Sequence, residues 1–267
     1  MATKIIALDA GHGLKTAGKQ TPDGIKEWTL NDKVRDKVVD MLKDYDVKFV
    51  FPDNNEGNTD EGLTDRRTMY VNAKVDAAVS IHHNAYKGTW CTATGSEVYV
   101  DNNATAADKA LAEAIYSRMI KYIGLKGRGV KKANFAVINQ NTVPAVLTEG
   151  GFMDNKKDHA IITSDAGQTA YAKAIAEGLI EFLKLEKKVV ATPVAETFKV
   201  KFKEDMNVRK GPGTKNDRVF SKGEFVICKK NYVYTIVETS KVGTALWGKL
   251  KSGAGWVCIA TKYCDRV

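Results

Sequence analysis

Three hydrophobic runs of this chain end in groups that bind metals or move protons. Ile5-Ile6-Ala7-Leu8 leads into Asp9-Ala10-Gly11-His12-Gly13. Ala77-Ala78-Val79 leads into Ser80-Ile81-His82-His83-Asn84-Ala85. Ala145-Val146-Leu147 leads into Thr148-Glu149-Gly150-Gly151-Phe152. Imidazoles and carboxylates are donors for a divalent metal, and a further carboxylate can act as general acid and base. Taken singly, each element is weak. A lone His at a strand end is more often structural than ligating. A Glu closing a hydrophobic run sits at a core edge and needs a partner. Glu27 stands in Asp23-Gly24-Ile25-Lys26-Glu27-Trp28, where a loop enters a helix. On spacing alone, the better reading of Glu27 is an acidic first-turn residue favoured by the helix dipole.

These groups act together only if the chain brings their ends to one place. Ile5 to Asp9, Val47 to Phe51, Ala77 to His82, Ser96 to Val100, Phe135 to Ile138 and Ala145 to Glu149 read as strands. Helical periodicity begins near Glu27 with Leu30, Val34, Val38, Met41 and Leu42. It recurs over Thr64 to Ala73, Thr105 to Ile123 and Gly167 to Lys184. This alternation predicts an α/β domain, a mostly parallel sheet flanked by helices. Ligands of such sheets bind at the carboxyl ends of the strands. That is where the three runs deliver His12, His82 and Glu149.

The texture changes after the last helix. Residues 186–197 have weak periodicity and one proline, as a linker does. Beyond them, Phe198-Lys199-Val200-Lys201-Phe202 alternates with period two, and short β-type runs are broken by Gly-Pro-Gly, Lys-Gly, Ser-Gly and Ala-Gly turns. The predicted organisation is a domain over 1–185, a linker, and a small all-β barrel over 198–267. Charge divides with it. From residue 191 on there are 15 Lys/Arg and 7 Asp/Glu, which leaves 26 and 25 before it; the whole chain carries +9. An acidic partner for the second domain is implied.

In this order, Gly11-His12-Gly13, Glu27 followed by Asn31, Ser80-Ile81-His82-His83-Asn84-Ala85, and Pro144-Ala145-Val146-Leu147-Thr148-Glu149-Gly150-Gly151-Phe152 resemble the zinc-dependent N-acetylmuramoyl-L-alanine amidases of the amidase 3 type. Lesser matches are Arg67 with Asn72, and Arg128-Gly129-Val130. The resemblance spans roughly residues 3 to 184. It implies one catalytic zinc ion held by His12, Glu27 and His82, with Glu149 as the catalytic carboxylate. Such an ion commonly takes three protein ligands and leaves a place for water. Adjacent strand residues face opposite sides, so only one of His82 and His83 should ligate, and the motif selects His82. Asn84 and Arg128 are candidate substrate contacts. The chain departs from the family at Ala10, where Pro is common, and at Gly150. His159 reads as a solvated surface residue.

Asn207-Val208-Arg209-Lys210-Gly211-Pro212-Gly213-Thr214, with Trp247-Gly248-Lys249-Leu250 and Gly255-Trp256-Val257, resembles a bacterial SH3-type domain. Such domains are generally wall-binding modules of lytic enzymes. Tyr232, Tyr234, Trp247, Trp256 and Tyr263 could form a nucleic-acid platform, but core positions are the better reading of them. The near-neutral first domain also argues against a nucleic-acid partner.

The implied function is hydrolysis of the amide joining N-acetylmuramic acid to L-alanine in the peptidoglycan of a Gram-positive wall. The alternatives are a zinc peptidase or carboxypeptidase acting on the stem peptide, and an inactive wall-binding protein. Gly13-Leu14-Lys15-Thr16-Ala17-Gly18-Lys19 imitates a phosphate loop, but Gln20 replaces the required Ser or Thr and Pro22-Asp23-Gly24 breaks the helix. No apolar run approaches membrane-spanning length, and the amino terminus has no signal-peptide core. The layout resembles a phage endolysin, made in the cytoplasm and acting on the wall after holin-type release. The cysteines Cys91, Cys228, Cys258 and Cys264 lack metal-type spacing and read as reduced thiols. Oligomeric state is not legible in the sequence.

Overall fold

The computed structural model describes residues 3–53, 56–139, 142–188 and 197–267. The chain divides into two compact units, Met1–Lys188 and Val189–Val267. Of the expected linker, residues 189–196 lie outside the described residues. Lys187 and Lys188 pair with the first unit instead, through a bridge to Tyr45 and a hydrogen bond to the Asp44 carbonyl.

In the first unit, β1 (Lys4–Ala10), β2 (Val47–Val50), β3 (Ala77–Asn84), β4 (Ser96–Val100), β5 (Gly127–Lys132) and β6 (Ala145–Phe152) form one sheet in the order β2-β1-β3-β6-β4-β5. The first four in that order are mutually parallel. β4 runs antiparallel to β6, and β5 follows β4. The starts of β4 and β5 therefore lie at the same edge as the carboxyl ends of β1, β3 and β6.

Strand parity divides the core. Ile6, Leu8, Val79, Ile81, Val98 and Val146 face α1 (Glu27–Leu42), α3 (Ala106–Tyr122) and α5 (Asp165–Leu183). Ala7, Ala78, Ala145 and Leu147 face the other side, with Tyr70 of α2 (Leu63–Asn72) and the loop residues Val137 and Ile138. Burying these alternating apolar rows on both faces fixes the strand register, because a one-residue slip would exchange the faces. α3 begins with a reciprocal cap between Thr105 and Asp108, and Ser164 caps α5.

One sequence expectation fails here, and two elements appear that the sequence does not announce. Phe135 to Ile138 is a turn, not a strand, because Val137 and Ile138 are buried from a loop. The strand in that part of the chain is β5, whose Gly-Arg-Gly-Val-Lys-Lys composition conceals it. Charged, glycine-containing strands are common at sheet edges, where they discourage pairing with other chains. The structure also adds a short helix, α4 (Lys156–Ile162), that the sequence pattern does not announce. Its cap is Asn155, which accepts from the amides of Lys157 and Asp158.

In the second unit, β7 (Phe198–Phe202), β12 (Val233–Val242), β13 (Ala245–Leu250), β14 (Trp256–Cys258) and β15 (Cys264–Arg266) form an antiparallel sheet in the order β14-β13-β12-β7-β15. Short pairs join β8 (Met206–Asn207) to β11 (Ile227–Cys228) and β9 (Phe220–Ser221) to β10 (Glu224–Phe225). Its core holds Val200, Phe202, Val208, Ile236, Leu250 and Val257. The Gly-Pro-Gly turn is strapped by Asn216, whose amide donates to the Pro212 carbonyl at 2.7 Å. Trp247 is 4% exposed, but Tyr232 is 66% exposed, so the aromatics do not all serve the core. All four cysteines are free.

Candidate metal and catalytic site

β1 delivers Asp9 and then turns sharply. His12 has φ of 68°, a conformation that residues other than glycine seldom adopt. Such a loop must be held from outside. Arg66 of α2, itself buried, donates from Nη1 to the Asp9 carboxylate at 2.5 Å and to the Ala10 carbonyl at 3.1 Å. Its Nη2 donates to the His12 carbonyl at 2.9 Å. The Asn31 amide donates to the Gly11 carbonyl at 3.1 Å, and the Ala10 amide to Asp53 at 3.2 Å. Gly11 itself has no substitute. A Cβ there would lie 2.0 Å from Cε1 of His82.

The alternation of β3 separates its two histidines. His83 is buried toward α1 and α5, with Nδ1 2.8 Å from Asn31 Oδ1 and its ring edge-on to Tyr171. His82 faces His12 and Glu27. Glu27 opens α1 and is buried. It places Oε1 3.0 Å from His82 Nδ1 and Oε2 3.4 Å from His12 Nε2. One potential ligand atom from each of His12, Glu27 and His82 lies within 4.8 Å of the others.

The electrostatics suit a cation. Burial pushes His12 down to about 4, against the opposing pull of Glu27, so its imidazole is neutral near pH 7. Burial would raise the Glu27 carboxyl, but the hydrogen bond and charge of His82, helped by His12, hold it at about 2. Ser80 reveals the proton arrangement. Its hydroxyl donates its single proton to Asp9 Oδ2 at 2.6 Å, so at 3.1 Å from His82 Nε2 it accepts. A neutral His82 then points its Nδ1 lone pair at Glu27 Oε1. Two acceptors 3.0 Å apart require positive charge, from a second ring proton or a metal ion. The donor set of two imidazoles and a carboxylate, with a carboxylate-backed hydroxyl behind one ring, fits a zinc-type ion.

Glu149 stands beside this cluster. It is the register partner of His82 across β3 and β6, and of Glu97 across β6 and β4. Its Oε2 is buried and has no hydrogen-bond partner among the described residues. Burial first, then the charges of Glu27 and Glu97, push its carboxyl well above the usual range. A carboxyl so placed is equipped for proton transfer. A cavity of about 280 Å³ is lined by His12, Glu27, His82 and Glu149 together with Lys19, Asn84 and Phe135.

The remaining sequence candidates are placed as follows. Asn84 lines the cavity and donates its amide to Glu97 Oε1 at 2.6 Å. Arg128 is outside that lining. Its Nε donates to Glu97 Oε2 at 2.8 Å, and its guanidinium lies 4.9 Å from the Phe152 ring centroid. His159 is not a free surface group: it pairs with Asp23 at 3.1 Å and meets the edge of Trp90. Gly150 is explained by Tyr171, whose ring would be 2.4 Å from a Cβ at that position.

Sequence reasoning missed Arg66, Ser80, Glu97 and Lys19. The family resemblance pointed at the neighbouring Arg67, which meets Asn139 instead. Ser80 and Glu97 had a signal: a polar residue two places before His82 on the same strand face, and a carboxylate inside an apolar strand.

The fold is that of a cell-wall amidase. The profile of the Amidase_3 family, N-acetylmuramoyl-L-alanine amidase, matches residues 6–181, and the chain belongs to that family. It is a peptidoglycan-cleaving N-acetylmuramoyl-L-alanine amidase. Among its relatives, the endolysin of Bacillus phage SPP1 is 34% identical, over 98% of this chain and 97% of that protein. LytC of Bacillus subtilis, an N-acetylmuramoyl-L-alanine amidase, is 31% identical over 66% of this chain and 35% of its own length. The catalytic domain of CwlV from Bacillus (Paenibacillus) polymyxa var. colistinus superposes with a TM-score of 0.63 at 31% identity, over 68% of this chain and 99% of that one. The amidase from Clostridium difficile 630 gives 0.64 at 30% identity, over 69% and 98%.

Proposed function

We propose that the chain is a zinc-dependent lytic amidase of phage origin, with a catalytic first unit and a wall-binding second unit. The observation that carries the zinc reading is the convergence of His12, Glu27 and His82, with one potential ligand atom of each within 4.8 Å of the others. His12, Glu27 and His82 would hold the ion. When bound, zinc supplies Lewis acidity toward a carbonyl and lowers the pKa of water. Glu149 takes the proton of the attacking water on its unpartnered Oε2 and returns it to the leaving nitrogen of L-alanine. Asp9, through Ser80, keeps the His82 ring oriented. Asn84 and Arg128 contact the substrate beyond the scissile amide.

The second unit we read as an SH3-type wall-binding domain. A groove of about 500 Å³ bounded by Glu204, Arg209, Trp247, Lys262 and Tyr263 offers apolar and ionic contacts together. Its basic charge suits the anionic polymers of a Gram-positive wall. The near full-length likeness to a phage endolysin supports release to the wall through a holin-type pore. No helix among the described residues is long and apolar enough to cross a membrane.

The test is mass spectrometry of digested peptidoglycan, with a chelated sample and Glu149→Ala alongside. Intact stem peptides with free L-alanine amino termini, released only with metal and Glu149 present, are the expected result. Cleavage that survives chelation would overturn the zinc reading. Cuts inside the peptide would move the specificity to a peptidase.

A further inference from the structure

One strand beyond Glu149, a buried carboxylate gathers two cations, and neither the metal cluster nor the proton transfer at Glu149 uses Lys131. Glu97 is 1% exposed, yet it accepts from four donors. Asn84 Nδ2 and the Tyr99 hydroxyl reach Oε1 at 2.6 and 2.9 Å. Arg128 Nε reaches Oε2 at 2.8 Å, and Lys131 Nζ contacts the same oxygen. Burial opposes ionisation of Glu97, but the hydrogen bonds from Lys131, Arg128 and Tyr99 prevail and hold its pKa below the usual range. One carboxylate against two cations leaves a net positive charge, and the Arg128 and Lys131 side chains remain 32% and 35% exposed.

The cluster is continuous with the catalytic cavity. His82, Glu149 and Glu97 form one cross-strand row through β3, β6 and β4. A register shift in β5 interrupts its pairing with β4 between Ser96 and Val98, and this places Arg128 against Glu97. Asn84, which donates to Glu97, lines the cavity. So does Phe135, whose ring meets Tyr99 edge-on at 5.0 Å.

We propose that Glu97, Arg128 and Lys131 form a carboxylate-recognising subsite, in which Arg128 and Lys131 determine specificity and Glu97 positions them. Its ligand is a free carboxylate on the stem peptide, a few bonds past the scissile amide on the leaving side. This deepens the amidase reading and rests on it. A buried carboxylate between the two cations fixes their directions, so that a ligand carboxylate meets a preorganised pair. Among the described residues, the cavity lining itself contributes a single Lys or Arg, Lys19.

The experiment uses the full-length zinc-loaded enzyme and two soluble muropeptides. They differ only in whether the second stem residue carries a carboxylate or a carboxamide. The wild type is expected to favour the carboxylate by about tenfold in kcat/KM, mainly through KM, as one charge-assisted contact provides. In Arg128→Gln, Lys131→Gln and Glu97→Gln the ratio between the two substrates falls toward one. Arg128→Lys, which keeps the charge, retains part of it. A purely structural role would lower both substrates alike and leave the ratio unchanged, which overturns the proposal, as does a wild type indifferent to the two. If Glu97→Gln fails to fold, the surface variant Lys131→Gln decides the question alone. A zinc-loaded wild type that cleaves neither substrate would fault the amidase mechanism instead.

Discussion

At residue 11 the constraint is steric. A methyl group there would overlap the His82 ring, with a Cβ 2.0 Å from Cε1. Gly11→Ala is expected to expel that ring and abolish metal binding, which metal analysis of the purified protein will register. Ser80→Ala makes a milder test of the same ligand. It removes the link between Asp9 and His82 and should weaken metal affinity by about 10- to 100-fold, as loss of such an outer partner commonly does. A competitive chelator titration measures it; unchanged affinity would mean that Ser80 does not orient the ring. His82→Ala should lose the metal. His83→Ala should keep it but melt at lower temperature, because His83 packs against Asn31 and Tyr171 rather than joining the His12–Glu27 cluster. Glu149→Ala should keep metal and wall binding and lose about 10²- to 10⁴-fold in turnover. Retention of more than a few per cent of activity would be incompatible with its proposed role.

At the scale of elements, the strand ends carry the chemistry and their neighbours carry the strain. Arg66 clamps the loop after β1 from α2, reaching Asp9, Ala10 and His12 at once. Arg66→Ala leaves the buried Asp9 charge without its partner and should cost about 3–5 kcal/mol, readable as a lowered denaturation midpoint. Most of these elements are legible in the sequence because one face of each is apolar: β1, β3, β4 and β6 and the long helices all appear near their expected bounds. The failures have a common cause. Apolar periodicity reports burial, not hydrogen bonding. Val137 and Ile138 are buried from a turn, and so mimic a strand. β5 pairs at an exposed edge and has little apolar pattern to display. The same blindness extends to the site. His12, Glu27, His82 and Glu149 stand in motifs, but Arg66 acts through a long-range ion pair that no local pattern encodes, and the local oddity of Glu97 does not name its distant partner Arg128.

At the scale of the whole molecule, the two units have separate cores and opposite demands. A chain ending at Lys188 is expected to hydrolyse soluble muropeptides at near full-length rates and to bind isolated walls far more weakly. Co-sedimentation with walls at rising salt tests the electrostatic share. Binding by the full-length protein should fall as ionic strength rises, since screening shortens the reach of its basic second unit. Equal sedimentation with and without residues 189–267 would deny that unit its targeting role.

The reversal of β4 and β5 also decides where the chain between β3 and β4 runs. Because those strands start where β3 ends, the connection from β3 to β4, residues 85–95, need not cross the sheet and loops out at the site edge. Its near end is tied by one side chain: Asp154 Oδ2 accepts from the amides of Tyr86, Lys87 and Gly88 at 2.8, 2.9 and 3.1 Å. The contacts are to backbone, so they are indifferent to the side chains the loop displays. The far end of the segment is held through its own side chains as well: Thr94 donates its hydroxyl to Asp158 Oδ1 at 2.6 Å, and Trp90 meets His159 edge-on. The residues next to β3 are thus fixed by their backbone, and those next to β4 also by what they carry.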